Sequence, residues 1–353
     1  MQRNNAIDAV KGFAILLVMI GHCIVLNGLD ATDPFLYDVI KSIQMPLFML
    51  VSGVLAATEV KRTGSGSEFK KLPSRAVSYL VPFFSWFVIV HVYVHAKAGT
   101  LSVMMFGKEL KELLLQTDRG LWFLMTLFVA TVCVMVAQTV ADKAVAQKST
   151  AKKLLVFLAV SACIYLLFFQ QSRMGNTWLS PSLTLQYFPF YLMGYAANGY
   201  GIKLPKAEPV IVAVMSAIFI LMAAFMDLSA PVDGIITLGL QMLASFLGTI
   251  SCFAIVYRLA ERRQKKTENQ GFLSFIGLYT LEIYVLHFRF ARLLGLAEKG
   301  LQLYSLEGIL WTALAFVLMS ALTAVSIIIL QRIPLVSFLL FGKKHVSLRK
   351  DGR

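Results

Sequence analysis

Apolar residues in this chain fall into runs of about twenty, separated by short polar stretches rich in Lys and Arg. Ten such runs lie at roughly 7–29, 35–57, 75–96, 120–141, 154–170, 183–201, 208–227, 233–257, 272–293 and 308–331. Each is near the length that an α-helix needs to cross the hydrocarbon of a bilayer. The fifth is short, and Pro189 and Gly194 interrupt the sixth. The pattern predicts an all-α integral membrane protein, a bundle of about ten transmembrane helices. No stretch is long and polar enough to form a soluble domain, so residues 1–341 read as one transmembrane domain and 342–353 as a basic tail. The segment 98–116 differs from the runs around it. Lys108, Glu109, Lys111 and Glu112 alternate there with leucines and methionines, the pattern of a helix lying along the outer surface before the fourth span.

The polar stretches orient the bundle. Counted from a cytoplasmic N-terminus, cations concentrate in the inner segments by roughly three to one over the outer ones, which places both termini in the cytoplasm. Lys70, Lys71, Arg75, Lys152, Lys153, Arg258, Arg262, Arg263 and Lys265 are among the inner ones. This distribution also explains the net charge of +14 without nucleic acid as a partner, since no basic stripe with interleaved aromatics is present. A chain 58% hydrophobic and 15% charged, with mean hydropathy +0.72, needs the lipid bilayer as its partner. The first run lacks a small-residue cleavage site and carries Asp8 and Lys11, so it is expected to be retained as a helix. The four cysteines, Cys23, Cys133, Cys163 and Cys252, all fall within spans and indicate neither a disulfide framework nor a metal site.

Ionisable groups inside the spans are the candidates for chemistry, because their burial in lipid is costly unless they face a polar interior. Asp8, Lys11 and His22 share one face of the first span, with Lys11 and His22 about 16 Å apart along the axis. His287 in the ninth span lies at the same expected depth as His22, about 22 Å from the inner surface, with Glu282 about one and a half turns nearer the cytoplasm. Two imidazoles at one level above a carboxylate predict a proton-handling site. Lys71 and Arg75, with Lys70, join Asp8 and Lys11 at the inner mouth, where they serve as topology determinants or as partners for a phosphorylated ligand. Lys41, His91, His95, Arg289 and Arg292 stand at the outer mouth. His91 and His95 have the i, i+4 spacing of a metal pair, but the sequence offers no evident third ligand. They read as an interfacial pair, and no metal is expected.

Six blocks, in order, carry a family resemblance. They are IDAVKGFAILLVMIGH (7–22), MPLFMLVSG (45–53), RAVSYLVPF (75–83), LWFL (121–124), FPFYLMGY (188–195) and LEIYVLH (281–287). Together they resemble the acyltransferase-3 family of integral-membrane O-acyltransferases, particularly its sugar O-acetylase branch, over nearly the whole chain. Two departures stand out. Gln44 occupies the position before Met-Pro where the family often has histidine. Arg75 follows Lys70, Lys71 and Ser74 where the family often has two arginines two residues apart.

The resemblance implies acetyl-coenzyme A as a cytoplasmic donor substrate, with no tightly bound cofactor. It implies as acceptor a hydroxyl of a carbohydrate or lipid-linked glycan, such as an O-antigen or exopolysaccharide, at a bacterial cytoplasmic (inner) membrane. On this expectation His22 is the general base, with direct attack on the thioester or a transient acetyl-histidine as the two routes. His287, Glu282 and Tyr284 complete the catalytic group. Asp8, Lys11, Lys71 and Arg75 are expected to serve the donor, and Lys41, Gln44, Trp122 and Arg289 the acceptor. Composition alone fits a proton-coupled transporter as well, although the sequence shows no internal repeat and no paired broken helices.

Overall fold

The computed structural model describes residues 4–29, 35–63, 69–117, 120–145, 149–202, 208–228, 234–267, 270–291, 295 and 300–343. Arg292 and the tail beyond Lys343 lie outside the described residues. The described chain is helical throughout: α1 Asn5–Val25, α2 Phe35–Thr63, α3 Leu72–Ala98, α4 Val103–Leu115, α5 Trp122–Ala144, α6 Thr150–Arg173 and α7 Pro181–Gly199. There follow α8 Pro209–Phe225, α9 Ile235–Lys266, α10 Phe272–Ile276, α11 Thr280–Leu286, α12 Leu306–Leu330 and α13 Pro334–Phe341. Seven of them, α1, α2, α3, α5, α6, α9 and α12, are long and apolar enough to cross a membrane, and α8 is a shorter apolar helix.

The chain forms two compact groups, Met1–Val54 with Met193–Ile327, and Leu55–Leu192 with Ile328–Arg353. In the first, α1 is among the most buried elements. Of its most apolar window 67% is covered, against 22% for α12, whose exposed Leu310, Val317, Val325 and Ile328 suit contact with acyl chains. Asn4 starts α1 by accepting from the amides of Ala6 (3.0 Å) and Ile7 (3.2 Å), and Asp8 in the first turn complements the helix dipole.

The ninth apolar run departs from expectation. Residues 272–293 were expected to form one helix, and the structure divides them into α10, α11 and a 3₁₀ turn at His287–Arg289. At the break, Leu278 donates to the Phe275 carbonyl (3.0 Å) and Tyr279 to that of Ile276 (2.9 Å), tightening the chain around Gly277. The cause is a backbone contact that hydropathy does not report. A Cβ on Gly12 would collide with the Leu273 carbonyl, and a Cβ on Gly277 with the Asp8 carbonyl. Two glycines, Gly12 on α1 and Gly277 at the C-cap of α10, let the two elements touch main chain to main chain. A third close contact of this kind joins two of the sequence blocks, where Gly194 of α7 lies against the Leu50 carbonyl of α2. Near it, Asn198 donates to the Val54 carbonyl at 2.8 Å.

In the second group, α3 packs on α5 and α13, and α5 on α6. The segment 98–116 contains α4 as expected, capped by Ser102. Its Leu110 and Leu113 pack with Phe83, Phe87, Leu121 and Met125. Helix α13 was not anticipated. Pro334 opens it, Gly342 closes it at φ 62°, and Gly342 lies against the Ser78 backbone of α3.

Gly12→Ala and Gly277→Ala should each destabilise the protein by about 1–3 kcal/mol or more, because the obstructing atoms are backbone. Gly107→Ala, on α4 with nothing near its added methyl, should be neutral or stabilising by up to about 1 kcal/mol. Thermal unfolding in detergent reads both, and a Gly12→Ala midpoint equal to that of the parent would remove the main-chain contact.

Candidate functional site

Helix α1 and the segment 272–291 run parallel and are joined at four levels. Ser274 donates to the Asn5 carbonyl (2.8 Å), the two glycines meet above it, the two histidines meet next, and Asn27 donates to the Ala291 carbonyl (3.0 Å). Asn27 also donates to the Cys23 carbonyl at 2.8 Å, so its amide closes the end of α1 onto the same segment. An apolar cluster that includes Met19, Cys23, Ile24, Ile40, Ala315 and Met319 packs around this end.

At the third level, His22 Nδ1 and His287 Nε2 are 2.8 Å apart, with the rings nearly parallel at 13°. The other nitrogen of His287, Nδ1, lies 2.7 Å from the Ile283 carbonyl. A carbonyl can only accept, so His287 Nδ1 carries a proton. With one proton on each ring, His287 Nε2 must accept and His22 Nδ1 must donate. The lone pair is thereby driven to His22 Nε2, on the half-buried ring, while His287 is buried. Phe288 meets the His22 ring edge-on at 5.2 Å, and the Tyr284 ring lies 6.4 Å from that of His287.

The remaining candidates of this group have distinct placements. Glu282 is buried on α11, five positions before His287 and so about 140° around the helix from it. Asp8 and Lys11 form an ion pair at 2.7 Å, with Asp8 the more deeply buried partner. Gln44 is buried on α2, and its Oε1 would meet a Cβ on Gly21 at 3.1 Å, which sets it beside the residue preceding His22. That oxygen has no donor among the described residues. Pro46, two positions on, has no N–H to donate to the Ser42 carbonyl one turn below. Lys41 sits 6.0 Å from the Tyr37 ring centre, and Arg289 is exposed on the 3₁₀ turn.

In the second group, the structure brings Lys71 and Arg75 together through a residue that none of the sequence motifs marks. Glu59, on α2, accepts from Lys71 at 2.7 Å and from Arg75 at 2.8 Å. Its sign was legible as a single carboxylate at the inner end of an apolar run, opposite a cluster of cations. Two cations on one carboxylate leave an excess positive charge, and Lys71 is the more exposed of the two. Arg75 also lies near Tyr79 and Tyr191, whose hydroxyl is 3.1 Å from that of Thr131. Trp122 opens α5 and stacks on Tyr187 with ring centres 5.2 Å apart.

The pair His91 and His95 has a third partner after all. Glu109 of α4 reaches both, with its Oε2 2.6 Å from His91 Nδ1 and its Oε1 2.7 Å from His95 Nε2. The hydrogen bond from His91, and then that from His95, hold the Glu109 carboxyl below its usual range. The connection 99–102 folds α4 back on α3 and creates this contact, which spacing along one helix could not reveal.

A family model described as an acyltransferase domain matches residues 4–331. Two curated relatives match parts of the chain. The Nodulation protein NolL of Sinorhizobium fredii is 31% identical over 138 residues, covering 36% of this chain and 36% of that protein. The Nodulation protein NolL of Mesorhizobium japonicum is 27% identical over 202 residues, covering 55% of this chain and 47% of that protein. The chain thus spans less than half the length of either relative. No solved structure matches.

A double-mutant cycle measures the hold of Glu59 on its cations. Glu59→Gln combined with Lys71→Met should show a coupling of about 0.5–1 kcal/mol in detergent unfolding, because both groups are partly exposed and screened. The cycle with Arg75→Met should give more, since Arg75 is the better buried. Additivity within about 0.3 kcal/mol in both cycles would mean that the carboxylate organises neither.

Proposed function

The chain belongs to the acyltransferase-3 family, and we propose that it moves an acetyl group from cytoplasmic acetyl-coenzyme A to a hydroxyl of a cell-surface carbohydrate or glycolipid. The observation that carries this reading is the directed hydrogen-bond chain from His22 through His287 to the Ile283 carbonyl, which leaves His22 Nε2 able to take a proton. His22 is the general base. As its Nε2 accepts the hydroxyl proton, the acceptor oxygen attacks the thioester carbonyl and forms a C–O bond. The tetrahedral intermediate then collapses with cleavage of the C–S bond. The departing thiolate takes the proton back from His22, so the products are the O-acetyl ester and free coenzyme A. His287 steadies the imidazolium in between, because its lone pair already receives the His22 Nδ1 proton. Tyr284 and Glu282 support the His287 segment from α11.

Cationic side chains are the proposed contacts for the donor's phosphates, taken group by group: in the first Lys11, paired with Asp8, and in the second Lys71 and Arg75 on their shared Glu59. The distance of about 16 Å along α1 from Lys11 to His22 suits an extended pantetheine arm. For the acceptor, the buried Gln44 Oε1 offers an unclaimed hydrogen-bond acceptor for a sugar hydroxyl. Lys41 and Arg289 in the first group are further proposed acceptor contacts, and the Trp122 face in the second is proposed for the same role. The orientation that goes with this scheme has both termini in the cytoplasm of a bacterial inner membrane. Its ten crossings count α7, α8 and the broken segment 272–289 with the seven long helices. In a cysteine-free background, an impermeant thiol reagent added outside should label Asn176→Cys and spare Lys265→Cys. Labelling of Lys265→Cys would invert the donor and acceptor sides.

The catalytic role is tested by substitution at His22. With acetyl-coenzyme A and an acceptor glycan, His22→Ala and His22→Gln should both lower kcat by at least about 10²-fold while donor affinity is kept. Glutamine preserves a hydrogen bond to His287 but cannot take a proton near neutral pH. Near-parental turnover of His22→Gln would reduce the ring to a structural donor.

A further inference from the structure

We propose that His91, His95 and Glu109 form a binding site for a divalent first-row metal ion of the zinc class, fastening the surface helix α4 to the end of α3. The inference is independent of the acetyl-transfer reading. Two histidines four positions apart on α3 and a carboxylate from the neighbouring helix make a His₂Glu donor set, and their ligand atoms all lie within 4.8 Å of one another. Imidazole and carboxylate together suit Zn²⁺ better than the hard oxygen-seeking cations.

The surroundings are those of a built site. His95 Nδ1 lies 2.7 Å from the Thr100 hydroxyl, which can accept its proton, so that loss of the Nε2 proton now shared with Glu109 leaves the Nε2 lone pair for the ion. Ligating histidines are held by second contacts of this kind. His91 is buried, with Phe106 edge-on at 5.2 Å and Phe87 at 5.9 Å, and its ring centre is 4.5 Å from that of His95. The hydrogen bond to Glu109 uses Nδ1 alone; His91 Nε2 is buried with no partner among the described residues. Glu109 is 34% exposed, so solvent reaches the carboxylate and can supply a water as a fourth ligand.

Direct nitrogen–oxygen distances of 2.6 and 2.7 Å are shorter than the separation of about 3.3 Å between ligands of one tetrahedral Zn²⁺. Binding therefore requires the carboxylate to withdraw by about 0.7 Å and the shared protons to leave. A half-exposed Glu side chain on a surface helix can make that movement without disturbing α3.

The test uses the full-length protein in detergent, purified by a tag without histidine and stripped with a chelator. Titration with Zn²⁺ should show one equivalent bound, with a raised thermal midpoint, and Co²⁺ in its place should give the visible absorption of a tetrahedral ion. Glu109→Gln and His95→Gln should each weaken binding by at least about 100-fold, and Thr100→Val by about 10–100-fold through the orientation of His95. Glu109→Gln keeps the shape of a partly exposed residue and remains informative if substitution of the buried His91 prevents folding. Absence of stoichiometric uptake would overturn the site, leaving a hydrogen-bonded triad only. So would uptake that is unchanged in the Glu109→Gln, His95→Gln double variant.

Discussion

The main-chain contact between α1 and α10 is the constraint on which the histidine pair depends. It exists because Gly12 and Gly277 each lack the Cβ that would strike the opposite carbonyl. Its position also sets the register. His22 lies ten residues beyond Gly12, and His287 lies ten beyond Gly277. Two parallel segments that touch at the glycines and rise at a similar rate arrive at the same level about 15 Å further on. The break at Gly277 lets the second segment leave the contact and still return to α1. The hydrogen bond at 2.8 Å is the consequence of that shared starting point.

A low-dielectric interior makes the direction of hydrogen bonds consequential. An isolated imidazole in lipid can hold its proton on either nitrogen and rotate. Here the Ile283 carbonyl removes that freedom from His287, and His287 removes it from His22. The device costs no buried net charge, which a carboxylate in the same place would have introduced. Asp8 and Lys11 follow a related economy: they are adjacent on one helix face and neutralise each other at 2.7 Å.

Much of this was legible in the sequence. Length and hydropathy located the seven long helices, although α2 and α9 run 6 and 9 residues past the ends expected of them, and equal depth within their spans marked His22 and His287 as potential partners. What escaped has a common cause. The interruption of 272–293 is set by backbone atoms, and a hydropathy pattern contains only side chains. Glu59 sits 12 and 16 residues from the two cations it joins, and Glu109 sits 18 and 14 from the two histidines, on separate helices that no single helical period relates. Helix α13 was missed because a helix of eight residues is too short to suggest a span. Gln44 stood out as a departure from a motif, but its place against Gly21 required the packing of two helices.

The pairing of His22 with His287 also bears on how the protein is made. The partners are 265 residues apart, and at roughly 5–20 residues per second the later one emerges roughly 13–50 s after the first. During that interval α1 occupies the bilayer with its imidazole unpartnered and its glycine face uncovered. The Asp8–Lys11 pair, being internal to α1, is complete as soon as the helix forms and lets it wait there without a bare charge. The site is thus assembled late, by a short broken segment closing on a helix that was among the first to be inserted.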